Sequence, residues 1–338
     1  MAEQCGGAVV QGKPSVEFRA RSAAARGWIA ALLAVSAAPG VAAEAACDGL
    51  AEVPLVPVAA QVWRVPAARG ESDAANGGVV AQLVVVQDGA RVWLVGSGPT
   101  PAFGAALGCA IQRRLGRPVS DVVNTRAAPE LALGNAAFPA ARGWALPDVI
   151  AAMRARCGTC LDRLKARIGA AGKSLRHDRI RVPTQPVGGA GASRGALGPF
   201  AWRALPRARG ERTLVLRHRA TSIVVAQGLL WTDDVPDLRE TDSALLLGSL
   251  RALQRFAVGA RLLGEQGDVA DAHAVAQQVA YVDALRGAVR SHLERGDVDG
   301  AAGIGVDVPG FAALPGYARR HPLNLQRVWR EREAELMR

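Results

Sequence analysis

Residues 122–135 read Val122-Val123-Asn124-Thr125-Arg126-Ala127-Ala128-Pro129-Glu130-Leu131-Ala132-Leu133-Gly134-Asn135. A short β-rich run therefore leads into a loop that ends in a Gly-Asn turn, and such loops often carry functional side chains. At four loop positions, Arg126, Ala128, Glu130 and Leu131, only Glu130 has a side chain that binds cations. Because Arg stays cationic and Ala and Leu have no donor atom, this loop alone predicts at most a weak cation site.

The composition is that of a globular protein. Half of the 338 residues are hydrophobic and only 4% are aromatic, and the length allows one large domain or two small ones. The formal net charge is +11 and comes almost entirely from Arg. Because the Arg residues are scattered and no aromatic side chains alternate with them, we interpret them as surface residues and expect no nucleic-acid partner.

The N-terminal residues have the pattern of an export signal. Basic residues precede the apolar run 28–35, and small residues follow at 41–45. The apolar run is well short of the roughly 20 residues that cross a bilayer. The sequence therefore predicts a signal peptide and leader over residues 1–45 and a folded domain over 46–338. It also predicts a periplasmic or secreted location, with no stable membrane span after cleavage.

Export affects how the cysteines are interpreted, because disulfides persist in oxidising compartments. Cys5 lies in the predicted signal, and four cysteines follow it: Cys47, Cys109, Cys157 and Cys160. The Cys-x-x-Cys motif of Cys157 and Cys160 favours a local disulfide, or two bridges that also use the other two cysteines. A thiol-redox pair or a metal site are the alternatives. A redox motif usually follows a strand, whereas the residues before Cys157 have helical spacing.

The hydrophobic pattern predicts two β-rich halves with helices between and after them. The predicted strands span residues 61–65, 79–87, 90–95, 119–125, 212–216, 222–226 and 229–231, with a hairpin turn at Asp88-Gly89. The predicted helices span residues 102–115, 147–168, 244–256, 270–295 and 324–336. Residues 186–199 are rich in small residues and predict a flexible loop.

The loop of residues 122–135 is similar to the metal-binding loop of the metallo-β-lactamase superfamily. There a strand ending in Thr leads into His-x-His-x-Asp-His and then a Gly-Asn turn. The order of strand, hairpin, helix and strand is also similar to the first half of that fold. The resemblance implies an α+β protein, a metallo-β-lactamase-like αββα sandwich with a C-terminal helical extension, whose relatives bind zinc.

Most ligands of that zinc site are absent from this chain. Arg126, Ala128, Glu130 and Leu131 occupy four ligand positions, so only Glu130 remains as a ligand. An Arg beside a divalent ion is unfavourable, by about 4 kcal/mol per unit-charge pair at about 4 Å and an effective dielectric constant near 20. We therefore expect the dinuclear zinc centre to be lost and no cofactor to be bound.

Other positions of the resemblance give residual metal candidates. His218 precedes Ser222 by four residues, like the family's third metal His, and Asp233 or Asp234 corresponds to its bridging Asp. Gly96 stands where the family has an Asp that supports the metal loop. Residues 264–267, where the last metal His is expected, contain no His.

The charge at the first ligand position suggests a replacement for the metal. We predict that Arg126 pairs with Asp233, Asp234 or Glu130, so that a fixed cation balances carboxylates that would otherwise bind zinc. This prediction fails if the structure places the guanidinium far from all three of these carboxylates.

Two further segments, 235–239 and 317–327, and the Cys-x-x-Cys motif are similar to exported zinc metallohydrolases that accompany quinoprotein dehydrogenases. The resemblance implies a periplasmic, non-catalytic binding or accessory protein whose partner is an unidentified protein or small molecule. One alternative is an active hydrolase with a reduced metal site of His218, Glu130 and Asp233 or Asp234. The other is a thiol-redox protein that uses Cys157 and Cys160.

Overall fold

The structure, a computed structural model, describes residues 47–232, 234–297 and 305–337. Within them two β-sheets, of seven and five strands, pack face to face and carry helices on their outer faces. The predicted signal peptide and Asp233 lie outside the described residues. The αββα sandwich is therefore confirmed for the part of the chain that follows the predicted leader.

The first sheet follows chain order. Its strands are β1 (Val56–Ala59), β2 (Val62–Val65), β3 (Leu83–Asp88), β4 (Arg91–Val95), β5 (Asp121–Val123), β6 (Arg142–Ala145) and β7 (Gln185–Pro186). Strands β1 to β4 are antiparallel and β4 to β7 are parallel. The predicted hairpin joins β3 to β4, where Gly89 takes a φ of 57° that few other residues tolerate.

The second sheet has the order β12-β11-β10-β9-β8. Its strands are β8 (Arg194–Leu197), β9 (Phe200–Ala208), β10 (Glu211–His218), β11 (Ile223–Val225) and β12 (Arg261–Leu263). The loop predicted over residues 186–199 is wrong in part, because β8 pairs with β9 in register over four residues. The strand predicted over 229–231 is a turn, in which Ala226 O accepts hydrogen bonds from Leu229 N and Leu230 N.

Six α-helices occur among the described residues. They are α1 (Pro101–Leu115), α2 (Pro129–Ala132), α3 (Pro147–Ile168), α4 (Ser243–Phe256), α5 (Ala272–Glu294) and α6 (Tyr317–Leu336). Thr100 caps α1 by accepting a bond from Phe103 N at 3.1 Å, and Gly116 ends it in the left-handed conformation, as its sequence predicts. Helix α6 begins seven residues before the predicted start. Among the helices of the described residues, none has the length and hydrophobicity of a transmembrane segment.

The core has separate layers because side chains alternate across each strand. Val84 and Val86 of β3 face Leu214 and Leu216 of β10 between the sheets. The intervening Val85 points outward to α1. On the second sheet the outward side chains of β10 and β11 pack against α4, α5 and α6. This alternation produces the four layers.

A disulfide joins Cys47 to Cys109 on α1 and closes a loop of 62 residues. Cys157 and Cys160 are free thiols, so the predicted local bridge between them is not formed. Both thiols lie three residues apart on the continuous helix α3. Helical neighbours at this spacing have Cβ atoms about 5–6 Å apart, whereas a disulfide needs about 3.8 Å.

Candidate functional site

A polar cleft of about 230 Å³ opens where the loop after β5 approaches the loops after β11 and β12. Helix α3 and the start of α6 complete its walls. Among the described residues, six Arg and five carboxyl groups line it. They are Arg126, Arg163, Arg167, Arg207, Arg239, Arg320, Glu71, Glu130, Asp237, Glu240 and Glu265. This set makes the cleft highly charged, with the positive groups in slight excess.

Buried hydrogen bonds fix the loop that follows β5. Asn124 Nδ2 donates to Leu131 O at 3.0 Å, and Asn135 Nδ2 donates to Asn124 Oδ1 at 2.7 Å. Ser97 Oγ donates to Asn135 Oδ1 at 2.7 Å. Thr125 Oγ1 donates to Gln227 Oε1 at 2.6 Å and ties the loop to the second sheet. Because all partners belong to the protein, the loop holds its shape without a metal ligand.

Of the four loop residues at the family's ligand positions, two line the cleft and two are buried in the core. Arg126 and Glu130 line the cleft. Ala128 and Leu131 are buried in the core between the first sheet and α1. A Cβ atom added to Gly96 would lie 2.9 Å from Leu131 Cδ2. Leu131 and Gly96, which stand where the family has its last loop His and its supporting Asp, thus pack against each other.

The packing around Gly96 leaves no space for the family's Asp. We expect Gly96→Asp to lower the free energy of unfolding by about 3 kcal/mol, because it overpacks the core and buries a charge. An added Cβ would lie 2.7 Å from Leu83 Cδ2, and the residue has a φ of 75°. Gly89→Asp is the control, since Gly89 has a similarly positive φ and nothing within 4 Å. Equal urea denaturation midpoints of the two variants would refute this packing argument.

Arg126 forms an ion pair that the sequence did not predict. Its Nη2 donates to Glu265 Oε1 at 2.5 Å, and Gly228 N donates to Glu265 Oε2 at 2.7 Å. Burial opposes the charge on Arg126, yet Glu265 and, more weakly, Glu130 raise its pKa above the ordinary value. The main partner is therefore Glu265, which lies in the segment where the last metal His is expected.

A second buried ion pair involves Asp234. Arg320 Nη1 donates to Asp234 Oδ2 at 2.7 Å, with the two side chains 4% and 3% exposed. Arg320 Nη2 also donates to Gln266 Oε1 at 3.0 Å. Asp234 therefore pairs with α6 and not with Arg126. The sequence did not single out Arg320 as a site residue, and its only signal was its place in the 317–327 resemblance.

Residues 235–239 and 317–327, the two segments similar to the exported zinc metallohydrolases, contact each other directly. Asn324 Oδ1 accepts a bond from Leu238 N at 3.0 Å, and its Nδ2 donates to Pro236 O at 2.8 Å. His321 Nε2 bonds to Val306 O at 2.7 Å. Helix α6 is thereby fixed against the loop after β11, which places Arg320 at the cleft.

His218 does not belong to the cleft. It lies at the end of β10, five residues beyond Thr213, whose hydroxyl bonds to the cleft loop at Thr125 O. Five residues of strand span about 17 Å. His218 Nδ1 is hydrogen-bonded to Thr221 Oγ1 at 2.7 Å, and burial lowers its pKa. The structure therefore does not bring His218 together with Glu130 and Asp234, the other residual metal candidates.

Arg207 also lines the cleft, and the sequence did not predict it as a site residue. Its Nε donates to Gly228 O at 3.1 Å and its Nη1 to Glu240 O at 3.3 Å. Burial and then the neighbouring Arg126 lower its pKa to about 10. No charge pattern in the sequence indicated that this Arg of β9 would be buried.

Three other acids of the cleft, Glu71, Glu130 and Asp237, bond neighbouring side chains. Ser72 Oγ donates to Glu130 Oε1 at 3.0 Å, and burial raises the Glu130 pKa despite Arg126. Arg239 Nε donates to Asp237 Oδ1 at 2.9 Å and its Nη2 to Glu71 Oε1 at 2.5 Å. Local cations thus already neutralise several carboxylates that could bind a metal.

The two thiols are poorly suited to redox chemistry. Cys160 lines the cleft and Cys157 is buried behind it. Burial raises the pKa of Cys157 to about 11 and also raises that of Cys160. Since the thiolate is the reactive form, both groups are weak nucleophiles at neutral pH.

The donor set does not fit a zinc site. Within residues 47–232, 234–297 and 305–337, no three His, Cys, Asp or Glu side chains are grouped to hold a metal ion. Catalytic zinc sites use about three protein ligands, usually with imidazole among them. Here Glu265 bonds an Arg and a backbone N–H, and the described residues that line the cleft include no His.

Comparison with known proteins supports the fold alone. No protein-family model matches the chain, and no curated protein matches it. Among solved structures, the mono-zinc form of the metallo-β-lactamase FIM-1 from Pseudomonas aeruginosa is similar, with a TM-score of 0.55 and 15% identity. The alignment covers 69% of this chain and 96% of that one.

Metallo-β-lactamases from two other bacteria are similar over the same share of the chain. The Hirschia baltica enzyme has a TM-score of 0.55 and 12% identity, and the alignment covers 69% of this chain and 98% of that one. The Pontibacter korlensis enzyme has a TM-score of 0.54 and 13% identity, with 69% and 99% covered. This chain therefore has the metallo-β-lactamase fold.

Proposed function

We propose that this protein is an exported, metal-free binding or accessory protein, descended from a zinc hydrolase and acting near quinoprotein oxidation systems. The observation that carries the proposal is the 2.5 Å pair of Arg126 and Glu265, at positions where the resemblance expects metal ligands. An ion pair across these loops supplies the charge balance that zinc supplies in a hydrolase. Without a metal there is no activated water for the hydrolytic chemistry of that fold.

The two alternative functions receive less support from the geometry. A hydrolase with a reduced site would need His218 beside Glu130 and Asp234, and His218 lies at the far end of β10. A thiol-redox protein would need a low-pKa cysteine, and the pKa of both thiols is raised. The proposed export rests on the N-terminal signal pattern, and the quinoprotein context rests on the sequence resemblance.

Metal analysis tests the proposal. We expect protein purified from zinc-replete medium, without chelators, to contain far less than one equivalent of zinc by mass spectrometry. The physical reason is that a divalent ion would have to displace the guanidinium of Arg126 from Glu265. One equivalent of zinc in the unmodified protein would overturn the proposal.

A further inference from the structure

Arg207 is a buried cation to which no carboxylate of the described residues is bonded. Its residue is only 6% exposed, and it forms no ion pair with any residue that the structure describes. Within the described residues, its hydrogen bonds go to two neutral carbonyl oxygens, those of Gly228 and Glu240. A buried charge that only dipoles compensate is unusual, because desolvation costs several kcal/mol per ion.

A second cation lies beside Arg207. Both side chains approach Gly228: a Cβ atom there would be 2.7 Å from Arg126 Cδ and 3.5 Å from Arg207 Nε. The charge of Arg126 lowers the pKa of Arg207, as a neighbouring like charge does. Within the part of the chain that the structure describes, Glu265 is the one carboxylate that bonds Arg126. Arg126 Nε is in addition a buried donor without an acceptor among the described residues, as is Arg320 Nε in the same cleft.

The carboxylates of Glu240, Glu265 and Asp237 favour the charge of Arg207 from a distance. None of these carboxylates bonds its guanidinium, and burial still lowers the pKa of Arg207. Both oxygens of Glu265 are engaged by Arg126 and Gly228 N, and Asp237 and Glu71 bind Arg239. The pKa of Glu130 is raised by burial, which makes this carboxyl easier to neutralise. Glu240 is exposed and forms no ion pair within the described part of the chain. Among the described residues, therefore, no carboxylate contacts the Arg207 guanidinium directly.

We infer that the cleft binds a small oxyanion, the carboxylate or phosphate group of a small molecule, against Arg207 with Arg163 at the entrance. This inference rests on the proposed function, since it requires a cleft free of metal. Guanidinium groups match carboxylate and phosphate geometry with paired N–H donors. The cavity of about 230 Å³ is smaller than those of drug-sized ligands, which start at about 300 Å³, so the ligand has few heavy atoms.

Calorimetric titration with inorganic phosphate and, separately, with malonate tests the inference. We expect saturable binding of at least one anion, with Arg163→Ala weakening it about tenfold because a charge-assisted hydrogen bond is lost. Arg154→Ala is the matched control, because Arg154 is exposed on the same helix α3 and does not line the cleft. Arg207→Gln should abolish binding, and Arg163→Ala tests the inference even if that buried variant does not fold.

The titrations distinguish the two anion sources, and they test the oxyanion site separately from the proposed function. Binding of phosphate alone or malonate alone identifies the phosphoryl or carboxylate source. No saturable binding of either anion, or equal affinity of the Arg163→Ala and Arg154→Ala variants, overturns the inference. Zinc content, measured on the same samples, separates the two proposals: metal-free protein that binds no anion contradicts only the oxyanion site. Stoichiometric zinc contradicts the proposed function itself.

Discussion

Replacing Glu265 with Gln should lower the free energy of unfolding by about 3 kcal/mol, because removing one partner of a buried ion pair leaves the other charge uncompensated. The side chains of Arg126 and Glu265 are 15% and 6% exposed, so water screens their pair only weakly. Gln keeps an oxygen that can accept the Gly228 N–H bond. The loss therefore reports the charge-assisted contact with Arg126 and not the Gly228 contact.

Two further variants make this measurement specific. Arg126→Met with Glu265→Gln should regain most of the loss, because both charges are then absent. Glu211→Gln is the exposed comparison: its pair with Arg156 has a 2.6 Å separation but side chains 35% and 49% exposed. We expect that change to cost less than about 1 kcal/mol. Equal costs for Glu265→Gln and Glu211→Gln in urea denaturation would contradict a buried role for the cleft pair.

Breaking the Cys47–Cys109 disulfide should have a comparable effect. The bond closes a loop of 62 residues. In the chain-entropy account, a loop of this length stabilises the folded state by about 4 kcal/mol. We expect Cys109→Ser, or reduction of the unmodified protein, to lower the free energy of unfolding by about that amount in urea denaturation.

The free thiol Cys160 provides the control for this experiment. Cys160→Ser removes a half-buried thiol that forms no disulfide, so its effect should stay within about 1 kcal/mol. If the Cys109→Ser variant were as stable as Cys160→Ser, the disulfide would not be a structural staple. A structural disulfide fits the predicted export, because such bonds persist in oxidising compartments.

The sequence predicted the architecture more reliably than the contents of the cleft. Strands β3 and β4 and helix α1 followed from alternation, a Gly turn and capping residues, which act locally. Strand β8 could not be found this way, because a run of Gly and Ala with little side-chain pattern becomes a strand only by pairing with β9. Tertiary pairing determined that element.

The cleft residues illustrate the same limit. Arg126 and Glu130 were found because the loop pattern places them in a known frame. Arg207 and Arg320 were missed since single Arg residues in a basic chain look like surface residues until the fold buries them. His218 was assigned by spacing alone, and spacing along β10 places it at the wrong end of the strand.

Anomalous X-ray scattering at the zinc edge, from crystals grown with equimolar zinc, would locate any bound metal. The ion-pair account predicts the Arg126 guanidinium on Glu265 and no anomalous peak in the cleft. A peak about 2 Å from an oxygen of Glu265 or Glu130, with Arg126 displaced from its partner, would contradict it.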